Sequence, residues 1–152
     1  MCAMQYHPAQ QGDAPRLAEL RVAAMRPSLE AIGRFDAHRA RQRFLDGFDP
    51  SETFLIMQDD NLAGFFVLRL RCDHLRLEHL YLDRTYQGLG LGRAVIRQAQ
   101  SQATDAGLPL RVTALRDSPA NAFYLSCGFA VTLQETFDIH YHWLVQTTDG
   151  PV

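Results

Sequence analysis

The sequence contains no lysine, and arginine supplies all 15 of its basic residues. Codon bias in the source genome is the simplest account of this composition. The absence has one direct consequence for nucleotide binding. A Walker loop needs a lysine to reach the phosphates, so a phosphate site of that type is excluded.

Long hydrophobic runs are also missing, since no apolar stretch approaches the ~20 residues that a membrane-spanning helix needs. The segment from Met1 to Gln11 is too polar for the apolar region of a secretory signal. Cysteines are few: Cys2, Cys72 and Cys127 are odd in number, widely spaced, and form no C-x-x-C pair. This pattern favours reduced thiols in a cytoplasm over a disulfide framework or a zinc site.

The charge is nearly balanced, with a formal net charge of -2 at pH 7. Such a balance gives no general attraction for nucleic acid or for an anionic membrane, so neither is predicted as a partner. The chain has 152 residues, of which 47% are hydrophobic and 21% charged. Length and composition, with no repeat or linker, predict a single soluble domain spanning residues 1–152.

The first half of the chain predicts a short edge strand, two helical stretches and a β-hairpin. Asp13 is placed to cap the first helix, Pro27 and Ser28 are expected to interrupt it, and Gly33 and Asp36 are potential breaks in the second. The turn at residues 59–61 predicts the hairpin. The predicted ranges are 4–7 for the edge strand, 29–45 for the second helical stretch, and 53–57 and 62–71 for the hairpin strands.

The strand predicted at Leu75–Leu82 has an irregular hydrophobic pattern. Leu75 and Leu77 share one parity, whereas Leu80 and Leu82 share the other. A regular strand keeps one parity, so the slip at residues 78–79 predicts a β-bulge.

The remainder of the chain predicts two helices and three strands. Gly107 and Pro109 end the helix at 91–106, while Ser118 and Pro119 are expected to start the helix that closes at Gly128. The strands are expected at 110–115, 130–133 and 137–145, and in the last of these Phe137, Ile139, Tyr141, Trp143 and Val145 are expected to alternate inward. The element order predicts an α/β protein, with an α+β mixed sheet as its centre.

The segment from Leu80 to Gly92 places a strand, a glycine-rich turn and a helix N-terminus in succession. Glycines allow successive backbone N–H groups to converge, and the helix dipole adds roughly half a positive charge behind them. A pyrophosphate is the natural ligand for such a turn, and a tight strand-to-helix turn without a ligand is the alternative. The dinucleotide fingerprint G-x-G-x-x-G does not fit, because Leu91 and Val95 stand where its third glycine is needed.

Two blocks of the sequence resemble the GNAT superfamily of N-acetyltransferases. Gln87-x-x-Gly90-x-Gly92 is similar to its Q/R-x-x-G-x-G/A motif, and the segment Leu80–Asp83 resembles the strand end that lies along the pantetheine arm. The segment Asp117–Tyr124 is similar to its N-x-x-A-x-x-F-Y segment, and Gly128-Phe129 follows at the usual place. Two positions depart from the family pattern: Asp117 replaces an asparagine and Arg84 replaces a proline.

The resemblance spans essentially the whole chain and implies the GNAT fold, a central mixed twisted sheet flanked by helices. It implies acetyl-coenzyme A (acetyl-CoA) as cosubstrate, no metal, and direct acetyl transfer to a primary amine of a small molecule or peptide. It also implies that a homodimer is one of the oligomeric states to expect. The alternative function is a coenzyme-A-binding sensor or partner module without catalysis. Because the chain has no lysine, it cannot acetylate its own lysine side chains.

The resemblance also assigns site residues. Tyr124 is the candidate acid for the leaving thiolate and Glu78 the candidate base, acting through a water. The alternatives are an aromatic core residue for Tyr124, and for Glu78 a surface ion pair with Arg76 or His79. The residues expected to bind the cofactor are Leu80, Tyr81, Leu82, Gln87, Gly88, Leu89, Gly90, Leu91, Gly92, Arg93, Asp117 and Tyr124.

Three further sets of residues are candidates for an acceptor site, a metal site and a nucleophile. The family's leading helices form a wall of the acceptor site, so Arg26, Glu30, Asp36 and Arg39 either contact substrate or are solvated helix charges. His140 and His142 have the spacing of a zinc pair but no evident third ligand, so no metal site is predicted. Cys127 is rejected as a nucleophile because the C-terminus of a helix disfavours a thiolate.

Overall fold

The computed structural model describes residues 4–145, and none of its helices is long and apolar enough to cross a membrane. These residues form two compact units, one of residues 4–68 with 79–92 and one of residues 69–78 with 93–145. The helices are α1 (Ala14–Ala31), α2 (Ala37–Asp46), α3 (Leu91–Ala106) and α4 (Ala120–Ser126). The strands are β1 (Met4–Pro8), β2 (Thr53–Gln58), β3 (Asn61–Leu70), β4 (Leu75–Leu82), β5 (Leu110–Leu115), β6 (Ala130–Gln134) and β7 (Asp138–Trp143).

The strands form one seven-stranded sheet in the order β1-β2-β3-β4-β5-β7-β6. β4 and β5 pair in parallel at their first residues, Leu75 with Leu110 and Arg76 with Arg111. The pairs β1–β2, β2–β3, β5–β7 and β6–β7 are antiparallel. A mixed sheet flanked by helices confirms the fold class predicted from the sequence.

In the first unit, α1 and α2 pack against β2 and β3. The buried cluster combines Leu17 of α1, Phe44 of α2, and Phe65 and Val67 of β3. Asp59 and Asp60, with φ of 51° and 67°, form the two-residue turn between β2 and β3. Two consecutive positive φ values match the twist of paired strands, which confirms the predicted hairpin.

The expectation that Pro27 interrupts the first helix is wrong, since α1 continues through it to Ala31. A proline removes one helical hydrogen bond, but the carbonyl that loses its donor belongs to Ala23, which is exposed. The break falls instead at Gly33, where φ is 69°. Asp36 then caps α2 by accepting a hydrogen bond from the backbone N–H of Arg39 at 3.0 Å.

The second unit keeps a regular alternation in its strands. Val112 pairs with Tyr141 and Ala114 with Ile139, and these four side chains are buried. Phe137 was expected on this inner face, but it lies before β7 and is 41% exposed. The strand ends at Trp143, so residue 145 lies beyond it.

The two residues predicted as N-caps, Asp13 and Ser118, do not make the expected capping hydrogen bonds. The Asp13 side chain accepts from the backbone N–H of Gln10 at 2.8 Å and from Arg16, and makes no capping bond to α1. At α4 the Ser118 side chain makes no capping bond either, and the helix begins at Ala120. Asn121 holds this turn instead, through its side-chain amide, which donates to the carbonyls of Leu115 and Ser118 at 2.9 and 3.0 Å.

Candidate functional site

The predicted cofactor residues of the first unit lie in one continuous segment at the end of β4. A single 3-10 turn at Arg84–Tyr86 follows the strand. Residues 87–90 form the glycine loop, and α3 begins directly after it at Leu91. The Gln87 side-chain amide donates a hydrogen bond to the Leu82 carbonyl at 3.1 Å. This bond ties the start of the loop to the end of the strand, so residues 80–82 and 87–92 lie close together; their role in cofactor binding stays a prediction.

The glycine loop has the backbone of an anion cradle. Gly88 and Gly90 have φ of 78° and 82°, and a Cβ on either would meet nothing within 4 Å. Left-handed backbone rather than crowding therefore requires glycine at both positions. In the described part of the chain, the N–H groups of residues 88–90 have no hydrogen-bond acceptor. Together with the first N–H groups of α3, they leave a row of donors that suits a pyrophosphate.

The carbonyl of Tyr81 lies against Gly64 of β3. A Cβ built on Gly64 would be 2.2 Å from the Tyr81 oxygen and 3.0 Å from the Leu82 Cα, so only glycine fits. Beside it, the β2–β3 register shifts between Ile56 and Met57, because Ile56 pairs with Gly64 and Met57 with Leu62. Gly64 was not among the residues predicted from the sequence, although an isolated glycine inside a strand is itself a signal for a bulge or a close backbone approach.

The bulge predicted at residues 78–79 stays a prediction. Burial alternates along β4 only as far as Glu78, and the remaining residues of the strand are all half-buried. The His79 ring lies 5.6 Å from the Phe44 ring and 5.7 Å from the Tyr81 ring. An aromatic layer therefore covers the first unit's portion of β4.

Glu78 belongs to the second unit and forms an ion pair with Arg69 of the neighbouring strand β3. Its side chain is 36% exposed, so the carboxylate is accessible to water. Arg76, one of the partners considered from the sequence, donates to the Thr113 hydroxyl at 2.9 Å. The base role assigned to Glu78 stays a prediction.

Tyr124 lies in α4 and is buried, with 8% of its surface exposed. Its ring packs at 5.7, 5.6 and 5.9 Å from the rings of Phe123, Phe129 and Tyr141. The Tyr141 hydroxyl donates to the Asn121 side-chain oxygen at 2.7 Å, which joins β7 to α4. The aromatic packing expected for a core residue is present, and the acid role of Tyr124 stays a prediction.

Asp117 and Arg93 complete the predicted cofactor residues of the second unit. Asp117 is exposed with φ of 68°, a conformation that asparagine and aspartate tolerate better than most residues. Aspartate therefore meets the same backbone requirement as the asparagine usual in the family. Arg93 in the first turn of α3 donates to the Ser126 hydroxyl at 3.0 Å, at the end of α4.

The candidate acceptor residues on α1 and α2 have local partners. Arg26 pairs with Glu30 at 2.9 Å and its guanidinium lies 4.9 Å from the centre of the Phe35 ring. The hydrogen bond from the Arg39 backbone N–H holds the pKa of Asp36 below its ordinary value. Asp36 and Arg39 also line an open groove of about 530 Å³ along α2. A substrate role for these residues stays a prediction.

The His140 ring is engaged by protein on both sides. One ring nitrogen contacts the Glu135 carboxylate, and the other lies 2.9 Å from the Thr113 hydroxyl. These contacts give His140 a structural role between β5, β7 and the turn that precedes β7. Across residues 4–145, no three His, Cys, Asp or Glu side chains are grouped as metal ligands would be.

A family model and two curated sequences match parts of this chain. The sequence model of the Acetyltransferase (GNAT) domain matches residues 24–145. Over 85 residues the chain is 34% identical to a mycothiol acetyltransferase of Thermomonospora curvata, covering 54% of this chain and 29% of the relative. It is 33% identical over 85 residues to an aminoglycoside N(6')-acetyltransferase type 1 of Stenotrophomonas maltophilia, covering 49% of this chain and 56% of the relative. The chain thus spans between a quarter and three fifths of these curated relatives.

Solved structures with the same fold cover nearly the whole chain. The PaiA N-acetyltransferase of Thermoplasma acidophilum, solved with coenzyme A, has a TM-score of 0.76 at 16% identity, covering 93% of this chain and 99% of that one. The ribosomal-protein-S18-alanine N-acetyltransferase of Escherichia coli has a TM-score of 0.71 at 17% identity, covering 99% of both chains. With its mixed sheet, its glycine loop and a family match over most of its length, the chain belongs to the GNAT acetyltransferase domain family.

Proposed function

We propose that this chain is an acetyl-CoA-dependent N-acetyltransferase that transfers the acetyl group directly to a primary amine of a small molecule or peptide. The observation that carries the proposal is the glycine loop, whose N–H groups at residues 88–90 lack acceptors within residues 4–145. These donors sit at the start of α3 in a chain that belongs to an acetyltransferase family. The second candidate is a sensor or partner module that binds coenzyme A without catalysis.

The same segment supports the binding of acetyl-CoA. Residues 87–92 would hold the pyrophosphate through backbone N–H groups and the positive end of the α3 dipole. The end of β4, residues 80–82, would lie along the pantetheine arm, and its backbone would bind the acetyl carbonyl. Arg93, Asp117 and Tyr124 complete the proposed contacts.

The reaction needs two proton transfers by this chain's residues. Acetyl-CoA supplies an acetyl thioester; the amine nitrogen forms the new C–N bond as the C–S bond breaks. Glu78 would accept the proton that the ammonium must lose, through a water molecule, and its exposed carboxylate supports that role. Tyr124 would donate a proton to the leaving thiolate, and the second proton that the nitrogen loses as the amide forms would return to Tyr124 through solvent.

The acceptor class is proposed from the relatives and the groove on α2. A relative that matches 85 residues of this chain is named for acetylating an amine of an aminoglycoside. The groove lined by Asp36 and Arg39 offers charges of both signs to a polar amine. We also propose one domain, since the family match at 24–145 includes residues of both compact units. A cytoplasmic location and a homodimer remain predictions from the sequence.

A thiol-release assay across a panel of amines tests the proposal. The purified chain is incubated with acetyl-CoA and with aminoglycosides, small primary amines or short peptides, and mass spectrometry identifies the acetylated product. Turnover with at least one amine is expected. Gly90→Ala, which strains the loop at a φ of 82°, should weaken cofactor binding, whereas Gly12→Ala on an open surface should not. Coenzyme binding without turnover would favour the sensor, and no binding at all would overturn both.

A further inference from the structure

A small cavity lies between the first two turns of α3 and the end of α4, entirely within the second compact unit. Its volume is about 130 Å³. One water occupies about 30 Å³ in the liquid, so the cavity has room for a phosphate-sized group. It is lined by two arginines and by uncharged residues, with no carboxylate among them: Arg93, Ile96, Arg97, Gln100, Ser126 and Cys127.

Within residues 4–145, the two arginines of this cavity have no acidic partner. Arg93 donates to the Ser126 hydroxyl at 3.0 Å and lies 3.7 Å from the Cys127 sulfur, both of which are neutral partners. Arg97 is exposed and has neither a hydrogen-bond nor an ion-pair partner among residues 4–145. By contrast, Arg26 and Arg41 pair with glutamates. The cavity therefore presents two uncompensated guanidinium charges to an anion.

The chemistry of these groups indicates a phosphate monoester. A guanidinium offers several planar N–H donors that match phosphate oxygens, and hydrogen bonds between two charged partners are among the strongest in proteins. The Ser126 hydroxyl adds a further donor or acceptor beside Arg93. Such a cluster discriminates a doubly charged phosphate from a neutral ribose hydroxyl.

We infer that Arg93 and Arg97 bind the 3′-phosphate of coenzyme A. The inference rests on the proposed function, because coenzyme A carries this phosphate on its ribose in addition to the pyrophosphate. Both proposed anion sites adjoin α3. The glycine loop leads into Leu91, the first residue of the helix, and Arg97 lies about 9 Å beyond Leu91 along the helix axis at 1.5 Å per residue. Recognition of the 3′-phosphate makes the chain selective for coenzyme A over its dephospho form.

The test compares acetyl-CoA with acetyl-3′-dephospho-CoA as donors for the wild type, Arg97→Gln and the control Arg16→Gln. The wild type and the control should show a KM about tenfold higher for the dephospho donor, the effect of one charge-assisted contact. Arg97→Gln should raise the KM for acetyl-CoA several-fold and leave that for the dephospho donor unchanged, so its discrimination falls. Arg16 suits as control because it is exposed on α1 and pairs with Asp13.

Calorimetric dissociation constants for coenzyme A and dephospho-coenzyme A separate this inference from the proposed function. Equal affinity of the wild type for both ligands, or an unchanged preference in Arg97→Gln, would overturn the 3′-phosphate site. Preferential binding of coenzyme A without turnover of any amine would retain the site and reject the acetyltransferase activity. Failure to bind either ligand would overturn both. Arg97 is exposed, so its variant should fold, and circular dichroism checks this.

Discussion

The two side chains that carry the proposed proton transfers have contrasting surroundings. Tyr124 is buried among three aromatic rings that fix its position. Glu78 lies on an exposed strand position and is paired with Arg69. The proposed acid is therefore held by packing, whereas the proposed base is held by an ion pair that leaves it open to water.

Tyr124→Phe removes the phenol and keeps the ring packing. We expect kcat to fall about 100-fold, because general acid catalysis typically contributes that much, while thermal stability stays close to wild type. Tyr6→Phe, which removes a hydroxyl from the edge strand β1, is the matched control and should keep its kcat. Steady-state kinetics across the pH range provide the measurement, and a Tyr124→Phe rate equal to wild type at every pH would remove the acid role.

Glu78→Gln removes the proposed base while leaving an oxygen that accepts a hydrogen bond from Arg69. We expect kcat to fall about 100-fold and the acid side of the pH–rate profile to flatten, because no carboxylate remains to titrate. Glu19→Gln, an exposed carboxylate on α1 paired with Arg41, serves as the control. If Glu78→Gln kept both the rate and the pH profile, another group or solvent would be the base.

At the scale of the elements, the end of β4 and helix α4 depend on contacts with neighbouring strands. Gly64 of β3 allows the carbonyl of Tyr81 to approach closely, so β3 shapes the strand end proposed to bind the cofactor. Asn121 of α4 bonds to Leu115 of β5 and accepts from Tyr141 of β7. Each proposed site element is thus positioned by a strand distant in sequence.

Gly64→Ala should disturb the end of β4. The new Cβ would lie 2.2 Å from a backbone oxygen, so the strands must move apart, and a loss of about 2 kcal/mol in unfolding free energy is expected. The KM for acetyl-CoA should rise because Tyr81 and Leu82 shift. Denaturant unfolding and kinetics measure the two effects, with Gly12→Ala as a control expected to change stability by less than about 0.5 kcal/mol. Equal stability of the two variants would contradict the close approach.

Tyr141→Phe should lower the unfolding free energy by about 1 kcal/mol at neutral pH, because the Asn121 oxygen loses its donor. Burial raises the pKa of Tyr141 above its ordinary value. The raised folded pKa means that the phenol's stabilisation is complete below about pH 10 and is lost as pH rises through the folded pKa. In urea unfolding at neutral and alkaline pH, the difference in unfolding free energy between wild type and variant should disappear above about pH 10. A gap that is constant with pH would contradict the burial of this phenol.

For the whole molecule, the residues proposed for function are distributed over both compact units. The glycine loop belongs to the first, and Glu78, Arg93 and Tyr124 belong to the second. The family match from residue 24 to residue 145 includes both. The family match to residues of both units is the basis for proposing a single domain.

If the chain is a single domain, we expect a single cooperative unfolding transition. The chain has one tryptophan, Trp143, whose fluorescence reports on the second unit, whereas far-ultraviolet circular dichroism reports on the helices of both. In a two-state domain the two probes give the same midpoint in urea. Separate midpoints would show that the two units unfold independently.

Much of the architecture follows from the sequence, because helical and strand periodicity are local. The bounds of α3, β4 and β5 agree with the predicted ranges, since each is an apolar-rich segment bounded by glycine, proline or aspartate residues. The expected helix break at Pro27 was wrong because solvent at Ala23 compensates for the lost hydrogen bond. Phe137 was placed inward by extending the β7 alternation one residue beyond the strand.

The sequence alone determined the fold class, the family resemblance and the backbone of the glycine loop, where Gly88 and Gly90 adopt the positive φ values that glycine permits. These features depend on residues that are neighbours in the chain, so local rules suffice. Only the tertiary structure revealed the contact of Gly64 with Tyr81 and the position of Arg97 beside α4, where no other residue of the described part of the chain pairs with it. Each of these contacts depends on which distant elements meet in the folded chain. The sequence does not show which side chains become neighbours on folding.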